Sequence, residues 1–289
     1  MMPSIWLEVL HGHDDWVATA HDRRVRDQVL DSIDDCLLST RQVSVRRAWC
    51  AACRTVTEMQ FHWHYGAIEP DGSVHPAWTE TGGCSGCGLN SRMRATIALL
   101  DERTALHDGD CFLAEQVTPT YDLLRHRFRS LVGAEFLADD LASGSLVVRD
   151  GVELRHEDLT RLSFDDASFD LVVTQDVFEH IPVPTRAFSE CWRVLRPGGR
   201  LIFTIPFFPD LTTTAVRATV AEDGSVTHLE PPEVHGNPLG GGSLCFQHFG
   251  WDLLDMLRSA GFDQAVAHTY WGPWQGHVGP PSFVFEATR

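Results

Sequence analysis

Beginning at Cys111, the chain alternates short apolar runs with stretches of helical period: CFLAE, PTYDLLRHRF, LVGAEF, VELRHE, FDLVVTQ, PTRAFSECWRVL and GRLIFTI. Strands separated by a helix's length of chain do not meet through a tight turn, so they pair in parallel and the helices cover the sheet faces. The pattern predicts a helix over 184–195, with Pro184 in its first turn, Phe188, Cys191, Trp192 and Leu195 on one face, and Pro197-Gly198-Gly199 as its stop. FGWDLLDMLRSAGF adds a helix ended by Gly261, and 264–270 and 282–287 read as two closing strands. An α/β domain over residues 105–289 follows from this alternation, leaving 1–104 as a smaller unit.

The N-terminal third is organised differently. Cys50 and Cys53 form one Cys-x-x-Cys, Cys84 and Cys87 a second, and 30 residues separate the pairs. Two intervening residues let both thiolates of a pair turn toward one ion, and two such knuckles complete a tetrahedral four-sulfur site, so Cys50, Cys53, Cys84 and Cys87 are expected to hold a structural zinc. The segment between them (FHWHYGAIEPDGSVHPAW) is too polar for a core of its own and suits a short hairpin or loop organised by metal. His62, His64 and His75 are alternative ligands, and redox-active thiols are the competing reading. Cys36, Cys111, Cys191 and Cys245 sit among apolar residues and are expected to be buried. Upstream, Val25, Val29, Ile33 and Leu37 recur every four residues, predicting an amphipathic helix over 16–38 that packs on the second domain or forms a homodimer surface.

Charge removes several function classes. The 23 basic residues are all Arg, so the P-loop lysine, the kinase ATP lysine and a Schiff-base lysine are excluded. Against 40 acidic residues they leave a net charge of −17. Up to residue 104 there are 10 Arg and 14 acids, and beyond it 13 Arg and 26 acids, so the larger part carries −13. A nucleic acid would approach that surface against repulsion, although an Arg92–Arg103 strip can still meet a phosphate. No segment approaches the roughly 20 apolar residues that span a bilayer, and the start lacks a secretory pattern. A cytoplasmic protein with no membrane partner is the expectation.

The run LSFDDASFDLVVTQDVFEHIPVPTRAFSECWRVLRPGGRLIFTIP resembles the fourth strand, following helix and fifth strand of class I S-adenosylmethionine-dependent methyltransferases, and the likeness extends over about residues 111–289. WCAAC and CSGCGLNSRMR resemble a bacterial subgroup that joins a cysteine module to this domain. The resemblance implies a Rossmann-like, doubly wound, seven-stranded, mostly parallel sheet, and S-adenosylmethionine bound at the carboxyl ends of its strands. It places Glu135 on the ribose hydroxyls, Asp158 on the adenine amino group, and Leu159 beside the ring. Glu115 faces the methionine ammonium or sulfonium side, and Gln175 borders the same crevice. The family's Gly-rich loop after the first strand is absent: this chain reads AEQVTPTY, so Gln116, Thr118, Thr120 and the helix N-terminus opened by Pro119 are expected to supply those contacts.

Asp176, Glu179 and His180 follow the fourth strand, where the transferable methyl is expected. Asp-x-x-Glu-His resembles the Glu-x-x-Glu-His of metal-dependent O-methyltransferases, which implies Mg or Mn at Asp176, Glu179 and His180 with His235 or His248 completing the set; the alternative is that Glu179-His180 orients the turn. Asp176, His180, His235 and His248 are thus the catalytic candidates. Residues 206–248 lack a helical period and read as a lid or substrate loop with Phe207 and Phe208 as candidate substrate contacts, and Trp271 and Trp274 either line its mouth or pack the end of the sheet. The expected activity is methyl transfer to an oxygen or nitrogen of a small-molecule or carrier-bound (sugar or natural-product) acceptor. An RNA methyltransferase and a catalytically silent binding module are the rival readings. A nicotinamide-dependent oxidoreductase is disfavoured because no Gly-x-Gly-x-x-Gly follows the first strand.

Overall fold

The computed structural model describes residues 3–37, 43–63, 66–68, 74–221 and 223–289. Two compact units emerge: residues 1–104 with 267–284, and residues 105–266 with 285–289. Residues 267–284 therefore pack with the N-terminal unit rather than with the second domain to which their position in the chain assigns them. The cause is side-chain chemistry: the buried Asp34 carboxylate accepts from Trp271 Nε1 at 3.2 Å and from Gly279 N at 2.7 Å.

In that first unit, Trp6–Leu10 pairs antiparallel with Gln264–Gly272. The expected single N-terminal helix is two, His13–Ala18 and Ala20–Leu37, interrupted at Thr19. Its apolar stripe faces outward, with Val25 54%, Val29 57% and Ile33 38% exposed, while Arg23, Leu30 and Asp34 are buried. Arg23 reaches back to the Thr19 hydroxyl and the Trp16 carbonyl and lies over the Trp16 ring. The side chains of Cys36 and Leu37 lie outside the described residues. Trp271 and Trp274 meet edge to face, and Trp274 Nε1 donates to the Pro3 carbonyl, so both pack within this unit.

Helix Ser91–Glu102, capped by Asn90 Oδ1 accepting from Met93 N at 3.0 Å, buries Arg94 completely. Arg94 donates to the carbonyls of Gly82, Gln275 and Gly276, and Arg92 is held by Glu80, so two arginines of the Arg92–Arg103 strip are committed internally. Beside Arg94, His277 is buried, with Nδ1 2.9 Å from Ser91 Oγ. Burial, then the nearby Arg94 charge, hold its pKa well below the ordinary value. A histidine depressed in the folded state contributes stability above its unfolded pKa and loses it as pH falls. Acidification below about 6.5 is therefore expected to destabilise the fold by about 1.4 kcal/mol per pH unit from this group alone. Denaturant melts of wild type and His277→Gln test it; equal slopes from pH 6.5 to 5 in both would sink the assignment.

The second unit contains the alternating pattern. In the mixed seven-stranded sheet, the strand residues of this unit run in the order 285–288, Leu195–Thr204, Phe169–Gln175, Asp110–Leu113, Ser130–Gly133. The last four are mutually parallel, and His277–Thr288 joins them antiparallel through residues 285–288, so the sheet is mixed and Rossmann-like in its parallel half. Phe169–Gln175 lies between two parallel neighbours and is buried along nearly its whole length, with apolar Leu171-Val172-Val173 at its centre, as a strand covered on both faces requires. VELRHE departs from expectation: Val152–Arg155 forms a ribbon with Leu146–Arg149 and reaches the sheet through one parallel bridge, Glu135 to His156.

The RVLRPGG run acts at the starts of these strands. Arg196 spans Asp170 at 2.5 Å and Asp110 at 2.8 Å, tying three strand starts together. Gly198 adopts φ 81°, a region costly for side chains, and its N–H donates to Arg289 O at 2.6 Å. The helix ends at Val194 and the Pro-Gly-Gly lies within the following strand, so this segment starts the strand rather than stopping the helix. Among the described residues, no helix is long and apolar enough to cross a membrane.

Candidate functional site

The four cysteines converge within the first unit. Strands Ser44–Cys50 and Thr55–Phe61 form a hairpin with Cys50 paired to Thr55, and Gly83–Cys84 adds a third strand. Cys53 N lies 3.4 Å from Cys50 Sγ and Gly86 N 3.3 Å from Cys84 Sγ, so each knuckle turns a backbone N–H onto its first sulfur. A Cβ at Gly86 would lie 3.1 Å from Cys53 Sγ, which explains a glycine there. Sulfur separations are 3.8 Å for Cys50–Cys87 and 3.7 Å for Cys53–Cys84. A tetrahedral ion with about 2.3 Å bonds to sulfur sets its ligands about 3.8 Å apart, so donor set and spacing both fit zinc. A hydrogen bond from Cys87 holds the Cys50 thiol down at about 5, whereas burial pushes Cys53 up to about 12. His62 is not in the cluster; His64 and the His75 side chain lie outside the described residues.

In the second unit, the strand ends after Leu113, Gly133 and Gln175 lie on one edge because those strands are parallel neighbours. Glu115 and Gln175 are each 7% exposed there. Glu135 Oε1 accepts from the amides of Gln116 at 2.6 Å and Val117 at 2.9 Å, so the acidic residue at the second strand's end also cradles the glycine-free loop. Burial pushes its carboxyl up, and the two amides oppose that shift. The Gln116 carboxamide bridges Glu153 O and Arg155 N, fixing loop against ribbon. Thr118 caps helix Pro119–Leu124, and the Thr120 hydroxyl donates to Gln175 Oε1 at 2.9 Å. Gln175 Nε2 is buried without a hydrogen-bond partner. Asp158 is committed locally: Oδ1 accepts from Thr160 N and Oγ1, and neighbouring Leu159 is buried.

The described residues of 206–248 contain short strands. They form three small ribbons: Ala215–Val216 with Gln247–His248, Ala218–Val220 with Val226–His228, and Val234–Gly236 with Gly242–Leu244. Phe246 N donates to Glu179 O at 2.7 Å, joining this segment to the turn after the fourth strand. Of the sequence's metal set, Glu179 and His180 come together with His235, whereas Asp176 stays outside that cluster. Asp176 instead accepts from the Thr204 hydroxyl at 2.7 Å, in a left-handed conformation with φ 53°. His235 and His248 both hold Glu233, at 2.9 Å each, and Arg217 approaches it at 3.3 Å. Burial opposes ionisation of Glu233, but the histidine and arginine contacts keep its carboxyl low. His235, between Glu179 and Glu233, is pushed up to about 9, and burial lowers His248, which stacks on Phe208 at 4.2 Å. Phe207 packs against Trp251 and Phe285. Sequence reasoning missed Glu233. The available signal was its spacing two residues before His235, which puts both on one face of an extended strand.

Residues 119–203 match the family described as a methyltransferase domain, a span that begins just past the glycine-free loop. Over that segment the chain is similar to class I S-adenosylmethionine-dependent methyltransferases. A probable S-adenosylmethionine-dependent methyltransferase of Mycolicibacterium smegmatis is 36% identical over 86 residues, covering 29% of this chain and 33% of the relative. The malonyl-[acyl-carrier protein] O-methyltransferase of Methylococcus capsulatus is 37% identical over 103 residues, covering 33% and 37%. The chain thus spans about a third of the length of these methyltransferases. The crystal structure of an S-adenosylmethionine-dependent methyltransferase from Mesorhizobium loti aligns over 68% of this chain and 96% of its own, at 16% identity and a TM-score of 0.43.

Proposed function

We propose that this chain transfers the methyl group of S-adenosylmethionine to an oxygen or nitrogen of a small-molecule or carrier-bound acceptor. One observation carries the reading: the methyltransferase-family segment supplies two adjacent parallel strands of a sheet whose ligand edge gathers Glu115, Glu135, Gln116, Thr118 and Gln175. The bound cofactor supplies an electrophilic methyl on a sulfonium. The chain's residues fit its polar groups. Gln175 Nε2, a buried donor lacking a partner, suits the methionine carboxylate; buried Glu115 suits the ammonium; and Glu135 suits the ribose hydroxyls. Asp158 and Leu159 border the adenine in this reading. Methyl transfer needs alignment above all, and a base only where the acceptor carries a proton. Asp176, His180, His235 and His248 are the candidates for that task.

In the same proposal, Cys50, Cys53, Cys84 and Cys87 hold a structural zinc, and a closed four-thiolate site leaves no position for substrate. The outward Val25-Val29-Ile33 stripe suits a homodimer contact. A cytoplasmic location and the absence of a nucleic-acid partner belong to the proposal as well, motivated by the −17 charge and the internally committed arginines.

Calorimetry with S-adenosylhomocysteine tests the central claim. Binding of one molecule per chain in the micromolar range is expected. No detectable heat or competition at millimolar ligand favours the silent binding module instead.

A further inference from the structure

The turn after the fourth strand buries a carboxylate that the proposed methyl transfer does not explain. Glu179 is 0% exposed, and neither of its carboxylate oxygens has a hydrogen-bond partner. A buried carboxylate left in this state is costly, several kcal/mol by general estimates. Two imidazoles face it. His180 Nε2 stands 3.5 Å and His235 Nδ1 3.7 Å from Glu179 Oε1, both beyond good hydrogen-bonding range.

The outer nitrogens of the two rings identify what those inner nitrogens present. His180 Nδ1 lies 2.9 Å from the Leu244 carbonyl, which only accepts, so Nδ1 carries the proton and Nε2 of the neutral ring offers a lone pair. His235 Nε2 lies 2.9 Å from Glu233 Oε1, which likewise accepts, so Nε2 carries a proton and Nδ1, facing Glu179, is the atom open either to a second proton or to a metal ion. Three atoms able to offer a lone pair, one each from Glu179, His180 and His235, therefore lie within 4.8 Å of one another. Such atoms need a cation among them, which a second proton on His235 supplies in the metal-free chain and a bound metal ion would replace. Their 3.5 and 3.7 Å separations are close to the roughly 3.4 Å between ligands bound at about 2.1 Å in a tetrahedral site. Ligating histidines also characteristically donate their other N–H to a carboxylate or backbone carbonyl, the two partners found here.

We propose that Glu179, His180 and His235 bind one divalent transition-metal ion, with Glu233 fixing the ring of His235 by accepting its outer N–H. Two imidazole nitrogens and one carboxylate suit Zn²⁺, Fe²⁺, Co²⁺ or Ni²⁺ better than Mg²⁺. Three protein ligands leave open positions for water or an acceptor oxygen, unlike the four-cysteine centre. A second grouping, Glu233, His235 and Cys245, shares His235. It is the weaker candidate because its members are already engaged: Glu233 by His235, His248 and Arg217, and the Cys245 thiol by the Gln247 carbonyl at 3.2 Å. The inference does not depend on methyl transfer, since its readout is metal binding by the resting chain.

The test is equilibrium dialysis of the full chain, its cysteine centre loaded with zinc, against Co²⁺, followed by metal analysis and absorption spectroscopy. One Co²⁺ per chain beyond the zinc is expected, without the intense near-ultraviolet bands of sulfur-bound cobalt. Glu233→Gln is expected to weaken affinity roughly 10–100-fold, His235→Ala to weaken it further, and Cys245→Ser to leave it unchanged. His235 stands on a ribbon with 28% of its side chain exposed, so its truncation spares the core even if Glu179→Gln proves unstable. The proposal is overturned if no second ion binds at millimolar Co²⁺, if His235→Ala binds it as wild type does, or if sulfur-to-cobalt bands appear and vanish in Cys245→Ser.

Discussion

Stripping the four-cysteine centre with a strong chelator, or replacing Cys84 by Ser, is expected to melt residues 43–63 and 74–103 and expel any bound zinc. Structural zinc contributes an apparent 10–16 kcal/mol or so at neutral pH, comparable to the whole stability of a typical domain. What surrounds it is slight: a hairpin, a two-residue third strand, and buried Met59, Phe61 and Leu89. Arg94 amplifies the effect. Its fully buried guanidinium is set among carbonyls close enough to Cys50, Cys84 and Cys87 to feel their charge, so loss of the thiolates strands a cation in the interior. Hydrogen exchange across the same residues, measured beside zinc content, tests this. A stable, zinc-free preparation with unchanged protection would refute the structural zinc.

Glu135→Gln is expected to weaken S-adenosylhomocysteine binding by about 3 kcal/mol, roughly 100-fold, while leaving the melting temperature within a few degrees. Hydrogen bonds to a charged acceptor each contribute about 1.5–3 kcal/mol, and two ribose hydroxyls converge on this carboxylate in the proposed mode. The glutamine is chosen over alanine for a structural reason. Its carbonyl still accepts from Gln116 N and Val117 N, which hold the loop, whereas its amide cannot accept from ribose. Wild-type affinity in the variant would remove Glu135 from the cofactor site. A large loss of stability without cofactor would mean that its main role is to hold the loop.

How much could be read in advance differs by residue. The alternation from Cys111 onward carried the parallel half of the sheet, because a strand buried on both faces needs consecutive apolar residues and Leu171-Val172-Val173 and Leu201-Ile202-Phe203 provide them. The cysteine spacing likewise announced its cluster. VELRHE misled because a four-residue apolar alternation is equally good for a sheet strand and for one arm of a ribbon. Val25, Val29 and Ile33 misled because their period speaks of a helix, not of which side is covered. At the candidate site, Asp176 had the spacing of a ligand, but a left-handed backbone turned it onto Thr204, and His235 took the place beside Glu179.

By itself the sequence determined what is local and periodic: which segments are strands or helices, that four thiols come in two knuckles, and that no lysine chemistry is available. Those properties follow from dihedral preference, side-chain period and ligand spacing, none of which needs a distant partner. Only the tertiary structure decided that residues 267–284 pack with the first unit through Asp34, that Glu135 cradles its neighbouring loop, and that Glu233 holds two histidines. The physical reason is the same in each case. A buried carboxylate must find donors wherever the fold brings them, and the identity of those donors is set by contacts between residues far apart in the chain.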